Sequence, residues 1–68
     1  MKPTAELTIT RTSPQNDAYR LYVDGRMVWI TRAYPTQAGR DGARERLRAW
    51  LRIHPYHVVM APDRKAVA

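Results

Sequence analysis

The sequence AYRLYVDGRMVWITR, residues 18–32, contains two β-rich runs on either side of Asp24 and Gly25. An Asp-Gly pair is favoured in two-residue type I′ turns, because both of its residues must adopt a positive φ. The short loop also fixes how the two strands pair, so that Leu21 would lie opposite Val28. These residues therefore predict a β-hairpin with a defined register.

The two faces of the predicted hairpin differ in composition. One face is apolar and should cover the core: Tyr19, Leu21, Val23, Val28 and Ile30. The other face is aromatic and basic: Arg20, Tyr22, Met27, Trp29 and Thr31. Side chains of this second kind are typical both of β-sheets that bind nucleic acid and of protein interfaces. The sequence thus offers a first candidate binding surface on the sheet.

Length and composition predict one small domain over residues 1–68. The 68 residues include no cysteine, so neither a disulfide nor a thiolate zinc site can stabilise the fold. A single core of this size contributes only about 3–5 kcal/mol, so a partner or a homodimer would matter. No apolar run is long enough to span a bilayer, and we expect a soluble, cytoplasmic protein that does not bind membranes.

The net charge is +6, from twelve Lys and Arg against six Asp and Glu. Such a field attracts polyanions, which makes nucleic acid or an acidic protein surface the expected partner. Ten of the twelve cations are arginine, whose guanidinium binds phosphate with two hydrogen bonds and stacks on bases. An arginine-rich codon bias of the source would produce the same composition without any function.

The rest of the chain predicts an antiparallel three-stranded meander, a helix on the sheet and a short fourth strand. Residues 5–12 alternate as a first strand, and the turn-forming residues 13–17 should make a loop of about five residues. Thr36 is a natural helix N-cap, but Gly39 and Gly42 weaken the first turns, so the helix either begins late, capped by Asp41, or packs its glycines closely; we favour the early start. Pro55 ends the helix, and residues 56–61 form the fourth strand. Residues 62–68 should be a mobile, basic tail.

This α+β arrangement, β-β-β-α-β, predicts one core between the sheet and the helix. Its expected members are Leu7, Ile9, Leu21, Val28, Ile30, Leu47, Trp50 and Leu51. The fourth strand should pair in parallel with an existing strand, because a helix connects it to the third. The edge of the sheet that it joins does not follow from the sequence.

The helix carries a second candidate surface, an arginine stripe of Arg40, Arg44, Arg48 and Arg52. Like charges four residues apart repel by roughly 0.2–0.5 kcal/mol per pair, and we expect Asp41 and Glu45 to relieve this only in part. A polyanion lying along the stripe would offset the remaining repulsion. Alternatively the stripe is a solvated surface whose arginine stems cover the rim of the core.

Catalytic and metal-binding patterns are weak. His54 and His57 form a His-x-x-His pair interrupted by Pro55, and no carboxylate lies near them in sequence. Zinc sites normally need three or four ligands, so we interpret His54 as a partly buried structural residue on the apolar helix face. No nucleophile triad or phosphate-binding glycine loop is present. We therefore expect no enzyme, no cofactor and no metal.

The order of strand, tight turn, RMVWI, Tyr34-x-Thr36 and a helix with small residues resembles DNA-binding domains of the AP2 and integrase amino-terminal kind. In those domains a three-stranded sheet enters the major groove. The resemblance implies contacts with DNA from four residues: Arg20, Tyr22, Arg26 and Trp29. The outline is equally similar to small uncharacterised bacterial and phage β-β-β-α proteins, and the predicted fourth strand departs from the DNA-binding domains.

Two functions from different classes follow from these observations. The first is a non-enzymatic nucleic-acid-binding module that uses the sheet face and the arginine stripe. The second is a small interaction or inhibitor protein, of phage or mobile-element type, that docks on an acidic protein or nucleoprotein complex. Only the first predicts binding to naked nucleic acid that depends on its length.

Overall fold

The computed structural model describes residues 2–61. In chain order the elements are β1 (Thr4–Ser13), β2 (Asn16–Val23), β3 (Arg26–Ala33), α1 (Gln37–Ile53) and β4 (His57–Met60). They form one four-stranded sheet of order β3-β2-β1-β4 with the helix packed on it. The predicted α+β class and element order are confirmed. The tail predicted at 62–68 lies outside the described residues.

The turn between β1 and β2 is shorter than the predicted loop of about five residues. β1 continues to Ser13 and β2 begins at Asn16, which leaves only two residues between the strands. The Ser13 hydroxyl closes this turn, because it accepts hydrogen bonds from the Gln15 backbone N–H and the Asn16 side-chain amide, both at 3.3 Å. Local side-chain bonding of this kind lets a polar run turn tightly.

The fourth strand adds to the free edge of β1 in parallel. Ala5 pairs with Val58, and Leu7 pairs with Met60. The His57 N–H also donates to the Pro3 carbonyl at 2.8 Å, and the Ala61 N–H donates to the Leu7 carbonyl at 2.9 Å. β1 is therefore hydrogen-bonded on both sides and lies inside the sheet, whereas β3 and β4 form its two edges.

The β2–β3 hairpin turns at Asp24 and Gly25, whose φ angles of 52° and 80° are both positive, as the sequence predicted. The predicted register holds only for the first two pairs. A β-bulge then leaves Val28 without a partner, so that Leu21 lies opposite Trp29 instead of Val28. A bulge adds one residue to one strand, and every later residue of β3 therefore exchanges faces relative to the prediction.

The core differs from the predicted set, and for the residues of β3 the bulge is the reason. The buried cluster consists of Ala5, Leu7, Tyr19, Leu21, Ala33 and Ala43. Partly buried side chains pack around it: Val23, Trp29, Leu47, Trp50, Tyr56 and Val58. The prediction was wrong for Ile9, Val28 and Ile30, which are exposed, and Leu51 is half-buried outside this cluster. Half of the buried cluster is alanine, which lets the helix lie close to the sheet.

Helix α1 begins where the sequence predicted. Thr36 is the N-cap, and its hydroxyl accepts a hydrogen bond from the Gly39 N–H at 3.1 Å. Gly39 packs directly against the end of β3, because a Cβ at this position would lie 2.1 Å from the Tyr34 carbonyl oxygen. His54 is the C-cap, immediately before Pro55. The glycine that weakens the first turn thus permits the close approach of helix and sheet.

Candidate nucleic-acid interface

The four members of the arginine stripe are all exposed on α1. Arg48 forms an ion pair with Glu45 at 3.2 Å, as expected from their spacing. Asp41 instead accepts a hydrogen bond from the Gln37 side chain at 2.8 Å. Within residues 2–61, Arg40, Arg44 and Arg52 form no ion pair. Most of the positive charge of the stripe is therefore not neutralised by ion pairs with the described residues.

The stripe turns gradually away from the sheet. Successive members are four residues apart, so each is rotated by about 40° from the last, and the stripe spans about 18 Å. Ala43 is the buried contact of the helix with the sheet, and Arg52, nine residues later, points about 180° away from it. The carboxyl-terminal half of the stripe is thus the part most accessible to a large partner.

The open face is the side of the sheet away from α1, and it holds only two of the four residues predicted to bind from the sheet. Arg20 and Tyr22 lie there, both half-buried. Across the ladder Arg20 is opposite Ile30 and Tyr22 is opposite Met27. Arg32, opposite Ala18, shares this face and was not a sequence-based candidate. Arg32 was missed because the predicted register placed alternate residues of β3, beginning with Val28 and Ile30, on the core face. The observed register places Arg32 on the open face.

Trp29 and Arg26 lie on the other side of the sheet. Trp29 faces the helix, with its ring centroid 6.3 Å from that of Trp50, so its predicted place beside Arg20 and Tyr22 is wrong. Arg26 lies opposite Val23, exposed next to the hairpin turn. The structure therefore divides the predicted sheet site between two faces, with an arginine and an aromatic residue on each.

The two histidines occupy different places. His54 stacks on the Trp50 ring at a centroid distance of 4.2 Å, and its Nδ1 lies 3.2 Å from the Trp50 carbonyl oxygen. It is nevertheless exposed, rather than partly buried as predicted. His57 lies in β4 opposite Thr4. No group of three or more His, Asp or Glu side chains in residues 2–61 is arranged to hold a metal ion.

Comparisons with other proteins do not assign the chain to a family. No protein-family model, no curated protein and no solved structure matches it. The roles implied by the resemblance to the AP2 and integrase amino-terminal domains thus remain predictions. The described part of the chain contains no helix that is long and apolar enough to cross a membrane. The fold and the placement of charge are the observations from which function can be argued.

Proposed function

We propose that this protein is a non-enzymatic nucleic-acid-binding module whose arginine stripe contacts the phosphate backbone. The observation that carries this proposal is the exposure of all four stripe residues, three of which have no ion pair within residues 2–61. Helical neighbours of like charge repel each other, so the stripe is destabilising until an anion lies beside it. A phosphate backbone would relieve that repulsion along its whole length.

The dimensions of the stripe suit a nucleic acid. Duplex DNA carries one negative charge for about every 1.7 Å of its axis, so an 18 Å stripe would run beside roughly ten phosphates. Arginine is suited to such contacts, because its planar guanidinium donates two parallel hydrogen bonds to phosphate oxygens. Contacts of this kind position a protein on nucleic acid without reading its sequence. We therefore expect binding that is sensitive to salt and tolerant of sequence.

The test is the salt dependence of binding to a duplex of arbitrary sequence. The double variant Arg44→Gln with Arg52→Gln removes two stripe charges that have no ion-pair partner in the described part of the chain. Each lost phosphate contact should reduce the log–log slope of affinity against salt by about 0.9, so we expect a reduction of about 1.8. Both residues are exposed, so circular dichroism should change little, and the loss of the like-charged pairs should keep the melting temperature equal or raise it by a few degrees.

The matched control is Arg20→Gln with Arg32→Gln, which removes two charges from the open face. It lowers the net charge equally, so a general loss of attraction would affect both double variants alike. The stripe is the contact if only the first variant reduces the slope. Equal reductions in both variants, or a reduction in the control alone, would exclude the stripe as the specific phosphate contact.

A second candidate function is docking of the open face on an acidic protein surface. Met27 and Ile30 are 51% and 43% exposed there, and Arg20 and Arg32 lie around them. Apolar side chains surrounded by arginine are typical of protein interfaces. Two copies of this face would bring four arginines together, which disfavours a homodimer. Polyglutamate binding that the open-face double variant abolishes, with duplex binding retained, would favour this function; no effect on polyglutamate would exclude it.

A further inference from the structure

A cleft of about 260 Å³ opens where the end of β3 meets the first turns of α1. Four small residues, Ala33, Ala38, Gly39 and Gly42, form part of its wall. Asn16, Arg32, Tyr34 and Arg46 complete the lining. Larger side chains in the first turns of the helix would fill this space. The cleft thus exists because the residues that let α1 approach the sheet carry little or no side chain.

Arg46 gives the cleft a positive charge that no ion pair within residues 2–61 compensates. Its Nε donates to the Thr31 hydroxyl at 2.8 Å, and its Nη2 donates to the Arg32 carbonyl at 2.9 Å. Both acceptors are neutral, so they hold the guanidinium in place without cancelling its charge. Among residues 2–61 no carboxylate lines the cleft, and Asp17, which follows Asn16, pairs with Arg11 at 2.6 Å.

The guanidinium lies at the wall of the cleft. A Cβ on Gly42 would be 3.3 Å from Nη1 of Arg46, the terminal nitrogen that neither hydrogen bond to β3 uses. An arginine fixed by two of its nitrogens and free at the third is prepared to bind an anion, because little side-chain freedom remains to be lost. The register places the Arg32 side chain on the open face, so Arg46 is the cation that serves this cleft.

Tyr34 also lines the cleft and carries an aromatic side chain. It is 65% exposed, directly after the end of β3, and its ring stacks on no other ring in residues 2–61. An exposed aromatic residue and a fixed arginine in the lining of one cleft form a combination that can hold a nucleotide, since a ring can stack on the base while the cation binds the phosphate. The volume lies just below the roughly 300–1,000 Å³ of small-molecule sites, so it would suit a single nucleotide unit.

We propose that the cleft binds one nucleoside monophosphate unit, with its phosphate on Arg46 and its base on Tyr34. The choice of a nucleotide among anions rests on the proposed function, whereas the preference for an anion rests on the lining of the cleft alone. The same unit could be a free nucleotide or the phosphorylated end of a strand. The site is separate from the arginine stripe, because Gly39, Gly42 and Arg46 lie on the opposite flank of the helix.

The probes are adenosine monophosphate, adenosine, and two short oligonucleotides that differ only in a 5′-phosphate, each titrated by calorimetry. A charge-assisted contact should make adenosine monophosphate bind about tenfold more tightly than adenosine, or the 5′-phosphorylated oligonucleotide about tenfold more tightly than the unphosphorylated one. Gly42→Leu should abolish this difference, because it fills the cleft with a better helix-forming residue and spares the fold. Ala49→Leu, a matched change at an exposed position of the same helix, should leave the difference intact.

Two outcomes support the site and identify its source. If adenosine monophosphate binds more tightly than adenosine and Gly42→Leu removes this difference, the ligand is a free nucleotide. If the phosphate raises affinity only in the oligonucleotide pair and Gly42→Leu removes that difference, the ligand is a strand end. The absence of any phosphate effect, or an effect that Gly42→Leu leaves unchanged or that Ala49→Leu also removes, overturns the proposal. Binding of adenosine monophosphate and adenosine does not involve the arginine stripe. Failure of the proposed function would therefore be recognised separately, from the salt dependence of duplex binding.

Discussion

The indole rings of Trp29 and Trp50 lie with centroids 6.3 Å apart and planes tilted by 41°, which joins β3 to the carboxyl-terminal half of α1. Trp50 also stacks on Tyr56 at 5.8 Å, just before β4. One ring therefore connects the strand before the helix with the segment after it. The aromatic side chains at this end of the domain therefore add to the small buried cluster around Leu7 and Leu21.

We expect Trp29→Ala to destabilise the protein by about 2–3 kcal/mol, somewhat less than the ~3–5 kcal/mol typical of a fully buried aromatic residue, because Trp29 is only partly buried. The matched control is Met27→Ala, two residues earlier in β3 and 51% exposed, which should cost less than about 1 kcal/mol. Urea denaturation measures both. Equal costs for the two variants would contradict the helix-facing position of Trp29.

The hairpin shows how far the sequence could predict this fold. Asp24 and Gly25 predicted the turn correctly, because the chemistry of a type I′ turn is local. The bulge at Val28 was not predictable, since Met27 to Ile30 are all apolar and give no alternation by which to choose a face. Packing selects the register, because the bulge places Trp29 against the helix. Arg20 and Trp29 were assigned to one site because the contact of Trp29 with the helix cannot be seen in the sequence.

The arginine stripe was easier to predict than the sheet face. Helical spacing alone places Arg40 and Arg52 on one continuous surface, and the structure shows both of them exposed. The cleft beside Arg46 had no signal in the sequence, because it depends on a contact between residues far apart in the chain. For the helix start, the sequence left a choice between a late cap at Asp41 and close packing of Gly39 and Gly42, and the structure shows the close packing for Gly39 against the end of β3.

Identical substitutions at these two glycines should have opposite effects. In Gly39→Ala the new methyl group would meet the Tyr34 backbone at 2.1 Å, so we expect a cost of about 1–3 kcal/mol or more as the helix moves away. In Gly42→Ala the nearest atom is the side-chain Nη1 of Arg46 at 3.3 Å, which has to shift by only a few tenths of an ångström, and the higher helix propensity of alanine should add about 0.5–1 kcal/mol. Thermal melts should therefore shift in opposite directions, by roughly 4–8 °C per kcal/mol.

Because Gly39 and Gly42 lie in the same helix, each alanine variant serves as the control for the other. Both substitutions change the unfolded chain in the same way, so a difference between them reports on the folded state. If Gly39→Ala were as stable as Gly42→Ala, the helix would not lie against Tyr34, and the cleft beside it would lose its structural basis.

Deletion of Val28 tests the bulge that decides which residues share a face. Because Val28 has no partner in the ladder, its removal should leave Leu21 opposite Trp29 and Tyr22 opposite Met27. Met27 and Trp29 would then be consecutive residues of a strand without a bulge. We expect the variant to fold, with stability within about 1 kcal/mol of the parent. The near-ultraviolet circular dichroism of the Trp29–Trp50 pair should be retained, since neither ring changes its neighbour.

Deletion of Ile30 is the matched control, because this residue has a partner, Arg20, in the ladder. Its removal would move Thr31 to the opposite face and break the hydrogen bond that Arg46 donates to the Thr31 hydroxyl. The loss of folding stability should exceed that of the Val28 deletion by several kcal/mol, and the melting temperature should be lower accordingly. If instead the Val28 deletion were the more damaging, the strands would pair without a bulge. Trp29 would then share the open face with Arg20 and Tyr22, and the sheet would regain a single aromatic and basic surface.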